Sequence, residues 1–214
     1  MGRQNKKESV AALHKENIML AAEQIFSEKG FQAATIADIS EASQYSRRTL
    51  YAYFESKEDI LYHVILKGLN ILKANIETGL ATHHDFFAQY KMICEAMKDY
   101  QLNSPHSFAS VNNMKNKDMN MESIPPVVMQ IFTIGTEINQ MLASFIENGK
   151  AEGIVRPEIK SMPTVYILWS NLSSLVSLVQ SKGPFISQEF HTTEEEFLAY
   201  GFNQIINSIL KERI

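Results

Sequence analysis

Residues 35–57 read TIADISEASQYSRRTLYAYFESK, and the organisation of the whole chain follows from how this stretch folds. Thr35-Ile-Ala-Asp38 has the form of a capping box, with Asp where Glu or Gln is usual, so it opens a helix. That helix has room for only about two turns, with Ile36, Ile39 and Ala42 on its inner face. Ser43-Gln44-Tyr45 then forms a turn, because Ser46 is again an N-cap, for a second helix from Arg47 to Tyr53. Ser56-Lys-Glu-Asp59 repeats the box and starts a longer fourth helix. Two very short helices bury little surface on their own. Joined by a tight turn, they make sense as a helix-turn-helix carried on a three-helix core.

The second short helix carries side chains suited to DNA. Arg47 and Arg48 lie at its N-terminal end, the end of a recognition helix that enters the major groove and reaches base edges. Thr49, Tyr51 and Tyr53 add hydroxyls suited to phosphate oxygens, and Leu50 and Phe54 anchor the helix to the core. Ser46, Lys57 and the amides after Thr35 offer further phosphate contacts from either side. The competing reading is a solvated, aromatic-rich surface helix.

Outward from this segment the periodicity is helical nearly throughout. Ile18, Ala22, Ile25 and Phe26 form one apolar stripe on a first helix that ends at Lys29-Gly30. Val127, Ile131, Ile134, Ile138, Met141 and Phe145 form another, starting after Pro125-Pro126 and stopping at Asn148-Gly149. Val165, Leu168, Leu172, Leu175 and Val179 make a third, which Gly183-Pro184 is expected to end. Leu198, Phe202, Ile205 and Ile209 make the last, capped by Thr192 or Thr193 with Glu194, Glu195 and Glu196 in its first turn. No run alternates with period two for long enough to argue a sheet. The fold class expected is all-α.

Composition agrees. The chain has 214 residues, 45% hydrophobic and 21% charged, with 9 Gly and 6 Pro, which favours long helices over a turn-dense β fold. The formal charge of −4 argues against a surface built throughout for nucleic acid. Yet the deficit is confined to residues 68–214; residues 1–67 are neutral overall, and Arg3, Lys6 and Lys7 make the first seven residues basic. The single Cys94 cannot form an internal disulfide or a multi-cysteine zinc site. His83-His84 lacks accompanying ligands, so no metal is expected. The polar, basic N-terminus shows no secretory signal, and the apolar window 163–180 is broken by Asn171 and several serines, so a buried helix is expected there and no membrane partner. No phosphate loop, nucleophile elbow or paired catalytic motif is found, so neither an enzyme nor a cofactor is expected.

Residues Ile18 to Ile65 closely resemble the DNA-binding head of the tetracycline-repressor-like (TetR) family of bacterial regulators. The matching stretches are Ala21-Ala22 through Phe26-Ser-Glu-Lys-Gly-Phe31, Thr35-Ile-Ala-Asp-Ile39, and Ser46-Arg-Arg-Thr-Leu-Tyr-Ala-Tyr-Phe-Glu-Ser-Lys57 with Glu58, Asp59 and Leu61. Gln44 stands where the family usually has Gly, which implies a left-handed residue at some steric cost or an altered turn. Tyr45 replaces a small aliphatic, and Arg48 a frequent Gly. The resemblance implies a cytoplasmic homodimer that binds a palindromic double-stranded DNA operator, commonly as a repressor, and is released by a small ligand.

It also implies about nine helices: a helix-turn-helix DNA-binding domain over 1–66 (core 14–60), then a ligand-binding and dimerisation domain over 67–214. After helix four, the later segments fall near 84–101, 105–119, 127–149, 163–182 and 193–212. In this family the last two helices pair with their mates, which puts Leu168, Leu172, Leu175, Val179, Phe202, Ile205 and Ile209 at the dimer interface. The alternative is that these stripes fill the protomer's own core. Seven of the ten Met lie between Met92 and Met141, among aromatics, which suits an adaptable cavity for a largely apolar effector. Its candidate lining is Phe86, Tyr90, Met97, Tyr100, Met114, Phe132, Glu137 and Trp169. The rival functions are a helical small-molecule carrier or enzyme with an incidental basic head, and a family member that activates.

Overall fold

Caps and glycine stops divide the chain into helices. The computed structural model describes residues 2–113 and 124–212, which hold α1 (Gly2–Lys29), α2 (Ile36–Ser43), α3 (Arg47–Tyr51), α4 (Lys57–Thr82), α5 (Phe86–Asn103), α6 (Pro105–Asn113), α7 (Pro126–Ala151), α8 (Ser161–Phe190) and α9 (Glu194–Asn207). The described residues contain no strand, and their one isolated bridge pairs Val155 with Leu210. Met114 lies outside the described residues, as does the end of the sixth helix expected over 105–119. The fold is all-α.

Two compact units divide the chain. The first holds α1 to α3, α4 as far as Asn70, α6 and the start of α7. Its core gathers Ile18, Ala22, Ile25, Phe26, Ala34, Ile39, Leu50, Phe54, Ile60 and Val64, so every residue of the first apolar stripe is buried. Gly30, at φ 76°, ends α1, and its N–H donates to the Phe26 carbonyl at 2.9 Å. At the far end of the same helix, Glu23 accepts the backbone N–H of His106 at 2.9 Å, which caps α6 and holds it on α1. Burial raises the Glu23 carboxyl above the ordinary carboxylate range.

The second unit holds α4 from Ile71, α5, α7 from Thr133, α8 and α9. Phe86 and Phe145 stack at 4.5 Å between ring centroids, and the Tyr90 hydroxyl donates to the Phe202 carbonyl at 2.9 Å. Burial pushes the neighbouring Cys94 thiol up to about 12, leaving it protonated and inert. After α9 the chain turns, and Arg156 and Lys211 donate to the Ile209 and Ile154 carbonyls at 3.0 and 2.9 Å. That pairing seats Ile209 and Leu210 in the core, so α9 stops at Asn207 rather than continuing to 212.

Three expectations of local structure need correction. Ala42 is exposed; the inner face of α2 turns to Ser40 and Ser43, whose hydroxyls donate to the carbonyls of Tyr45 and Ser40. The recognition helix ends at Tyr51, followed by a turn in which the Phe54 N–H donates to Leu50 at 2.9 Å. Most clearly, α8 does not end at Gly183-Pro184 but runs on to Phe190. Its buried stripe continues through Val176, Val179, Gly183 and Ile186, and that burial outweighs the helix bond which proline cannot make. Gly183 serves a different purpose: a Cβ there would lie 2.1 Å from Glu194 Oε1, so its role is the approach of α9. By length and composition α8 is apolar enough to cross a membrane, but its stripe is buried by its own unit.

Pro184 therefore sits within a continuous helix on an exposed face. Pro184→Ala restores a backbone donor and is expected to stabilise the protein by about 1–3 kcal/mol in urea unfolding; a loss of stability contradicts the continuous helix.

Candidate nucleic-acid interface

The helix-turn-helix is built from small local devices. At the start of α2, Thr35 Oγ1 accepts the Asp38 N–H at 3.2 Å, and Asp38 Oδ2 accepts the Thr35 N–H at 2.9 Å. The Lys29 ammonium, donating at 2.7 Å, and the Thr35 hydroxyl hold the Asp38 carboxyl at about 2, against an ordinary 3.8. α2 ends on Gln44, left-handed at φ 59° and ψ 20°. Its N–H donates to the Glu41 carbonyl at 3.2 Å, the turn bond that makes this conformation worthwhile in a residue other than glycine. Ser46 then caps α3, accepting the Thr49 N–H at 3.1 Å, with the Ser46 and Thr49 hydroxyls 2.8 Å apart.

α3 has five residues, and only Leu50 among them is buried. Its outer face presents Arg47, Arg48 and Tyr51, the last 57% exposed. Neither arginine has an ion-pair partner among the described residues. Two free guanidiniums at the exposed N-terminal end of a short helix suit anionic backbones and guanine edges.

The other expected contacts are differently placed. Lys57 donates to the Phe31 and Ala34 carbonyls at 2.7 and 2.8 Å, and its ammonium lies 4.4 Å from the centroid of the Phe31 ring. It ties the start of α4 to the loop that carries Thr35. Tyr53 is half-buried, with its hydroxyl 3.0 Å from His14 Nδ1 on α1. The sequence reading missed His14, Asn17 and the role of Tyr45. Asn17 Nδ2 donates to the Tyr45 hydroxyl at 3.4 Å, and the Tyr45 and His14 rings meet at 4.9 Å. A signal was present: His14 falls one turn before Ile18 on the same stripe.

In the second unit, Tyr90, Met97 and Trp169 come together around an apolar cavity of about 20 Å³. Glu137 lines a separate open cleft of about 480 Å³, where it pairs with Lys73 at 3.0 Å. Phe86 and Tyr100 are packed in the core, and Phe132 is half-buried. Of the residues expected at the dimer interface, Leu168, Leu172, Val179, Phe202 and Ile209 are buried within the protomer, and Leu175 and Ile205 half-buried. The large apolar residues that these two helices expose are Met162, Tyr166, Ile167, Leu178, Phe185, Phe190 and Tyr200.

A capped α2, a tight turn and an α3 with two free arginines define a helix-turn-helix DNA-binding regulator. Residues 18–64 match the family of bacterial regulatory proteins, tetR family. The chain belongs to that family. It is similar to the HTH-type transcriptional regulator UidR of Escherichia coli K12, at 26% identity over 71% of this chain and 74% of UidR. It is also similar to the HTH-type transcriptional repressor NicS of Pseudomonas putida KT2440, at 26% identity over 68% of this chain and 67% of NicS. Its fold resembles that of FadR from Bacillus subtilis, solved in complex with stearoyl-CoA, at 14% identity and a TM-score of 0.68 over 91% of this chain and 98% of FadR. The relatives are regulators, and the chain is a DNA-binding regulator rather than an enzyme.

The Asp38 cap makes α2 acid-sensitive in a defined window. Because its carboxyl is held low in the folded state, the cap's contribution is complete above about pH 4 and is lost as pH falls through about 2. Asp38→Asn is expected to flatten that part of the acid-unfolding curve followed by circular dichroism; an unchanged curve contradicts the capping role.

Proposed function

We propose that this chain is a homodimeric, ligand-released repressor that acts in the cytoplasm on a palindromic operator. The observation that carries the reading is the pair of arginines, Arg47 and Arg48, exposed and unpaired at the N-terminal end of α3 within the matched head. In this reading Arg47 and Arg48 reach base edges, while Ser46, Thr49, Tyr51, Tyr53 and the α2 start at Thr35 meet phosphates. Lys57 supports that surface by fixing the loop before Thr35. Residues 1–66 form the DNA-binding domain and residues 67–214 the ligand-binding and dimerisation domain. The name NicS bears, a repressor, supports repression over activation.

Two such heads, brought together by the exposed apolar face of α8 and α9, read half-sites one helical turn apart, ~34–36 Å. The effector is a small molecule with an apolar body, for which stearoyl-CoA on FadR is the precedent. It enters around Tyr90, Met97 and Trp169, where the existing space of about 20 Å³ holds no more than a water molecule. Side chains must therefore move to admit it, and the flexible Met97 makes that movement easy. A ligand that favours the opened arrangement shifts α4, on which the spacing of the heads depends, and so disfavours the operator-bound state.

Mobility shift against the DNA flanking its own gene tests this reading. A salt-sensitive, sequence-preferring complex supports it; its absence contradicts it. Tyr51→Ala is expected to weaken binding to all DNA alike, whereas Arg47→Ala or Arg48→Ala also relaxes sequence preference by ~1–3 kcal/mol in competition titrations. Uniform loss from every substitution contradicts the assigned roles.

A further inference from the structure

We infer that His14 is a positioning residue for DNA binding, acting as the proton donor that frees the Tyr53 hydroxyl for a phosphate, so that binding takes up a proton. The inference rests on the phosphate role proposed for Tyr53. His14 Nδ1 and Tyr53 Oη lie 3.0 Å apart, half-buried, and the two rings meet edge-on at 5.8 Å between centroids. From the turn between α2 and α3, Tyr45 packs on the other side of the imidazole, and Asn17 on α1 donates to the Tyr45 hydroxyl. Those are the polar and titratable groups that face His14; no carboxylate stands within ion-pair distance of it among the described residues.

The argument is one of proton inventory. A tyrosine hydroxyl has one proton and two acceptor lone pairs. When imidazole Nδ1 is the acceptor, Tyr53 spends its proton on His14 and offers a phosphate oxygen only lone pairs, which repel it. For Tyr53 to donate to a phosphate, it must instead accept from His14, which requires a proton on Nδ1. An imidazolium supplies that proton, and the adjacent phosphate charge favours the imidazolium. The relay moves no covalent bond: the proton comes from solvent, stays on His14 and returns when the DNA leaves.

Linkage fixes the sign. DNA raises the His14 pKa, so affinity is greatest below the free value and falls as pH rises through the bound value. A rise of one unit couples proton and DNA about tenfold, which gives each head about a fivefold loss of affinity between about pH 6 and about pH 8. The direct test is the nuclear magnetic resonance titration of His14 in the wild-type protein, free and bound to a duplex that the protein itself enriches from a random-sequence pool. A bound-state pKa clearly above the free one is expected; an unchanged value overturns the relay. Affinity profiles at fixed salt give the second readout. His14→Gln is expected to remove the His14 part of the pH slope, and Tyr53→Phe to remove it while weakening binding at low pH. A His14→Gln profile parallel to wild type overturns the inference and leaves DNA binding intact. Failure to enrich any duplex defeats the DNA-binding reading itself, and the relay with it.

Discussion

A helix of five residues cannot hold itself together in water, because nucleation fixes several dihedral angles before hydrogen bonds repay the cost. Everything the head does depends on how α3 escapes that limit. Its N-terminus is capped by Ser46, its one buried side chain, Leu50, enters the core, and Phe54 anchors the turn that follows. α1 then brackets the segment at both ends: Tyr45 before the cap meets His14 and Asn17, and Tyr53 beyond Tyr51 meets His14 again. All this anchoring leaves one face free, and that face carries Arg47, Arg48 and Tyr51. Rigidity on one side and unpaired charge on the other are what a reader of base edges requires.

The head was legible because its decisions are local. Thr35, Asp38, Ser46 and Ser56 are caps that act within four residues, and the structure uses them as the sequence suggests. Gln44 was legible as a conflict, a residue other than glycine where the chain must turn left-handed. Long-range partners were not legible. Nothing local to Lys57 announces that its ammonium will close on Phe31 and Ala34, and nothing local to Tyr53 announces His14 across 39 positions of sequence. Pro184 shows the reverse error, since a strong local signal yields when a helix face continues into a core.

The second unit was legible as helices but not as surfaces. α8 has apolar residues on two sides, and periodicity alone cannot say which side the protomer keeps. Val165, Leu168, Leu172 and Val179 go inward, while Ile167, Leu178 and Phe185 stay outside. The outward set is what a symmetric partner requires, since a dimer is built from what the protomer leaves uncovered. Cavities escape a sequence reading for a related reason: Tyr90, Met97 and Trp169 enclose a small apolar space, whereas Glu137 belongs to a separate charged cleft. The net charge of −4 misleads in the same way, because it sums a neutral head with an acidic remainder.

The central claim is that α3, fixed by its bracket on α1, reads base edges in the major groove. Dimethyl sulfate interference on a duplex selected by the protein tests it most directly, since methylation reports guanine N7 in the major groove and adenine N3 in the minor groove. The account predicts interference at guanine N7 in two clusters related by two-fold symmetry and one helical turn apart. Interference confined to adenine N3, or binding indifferent to methylation at every guanine, contradicts it.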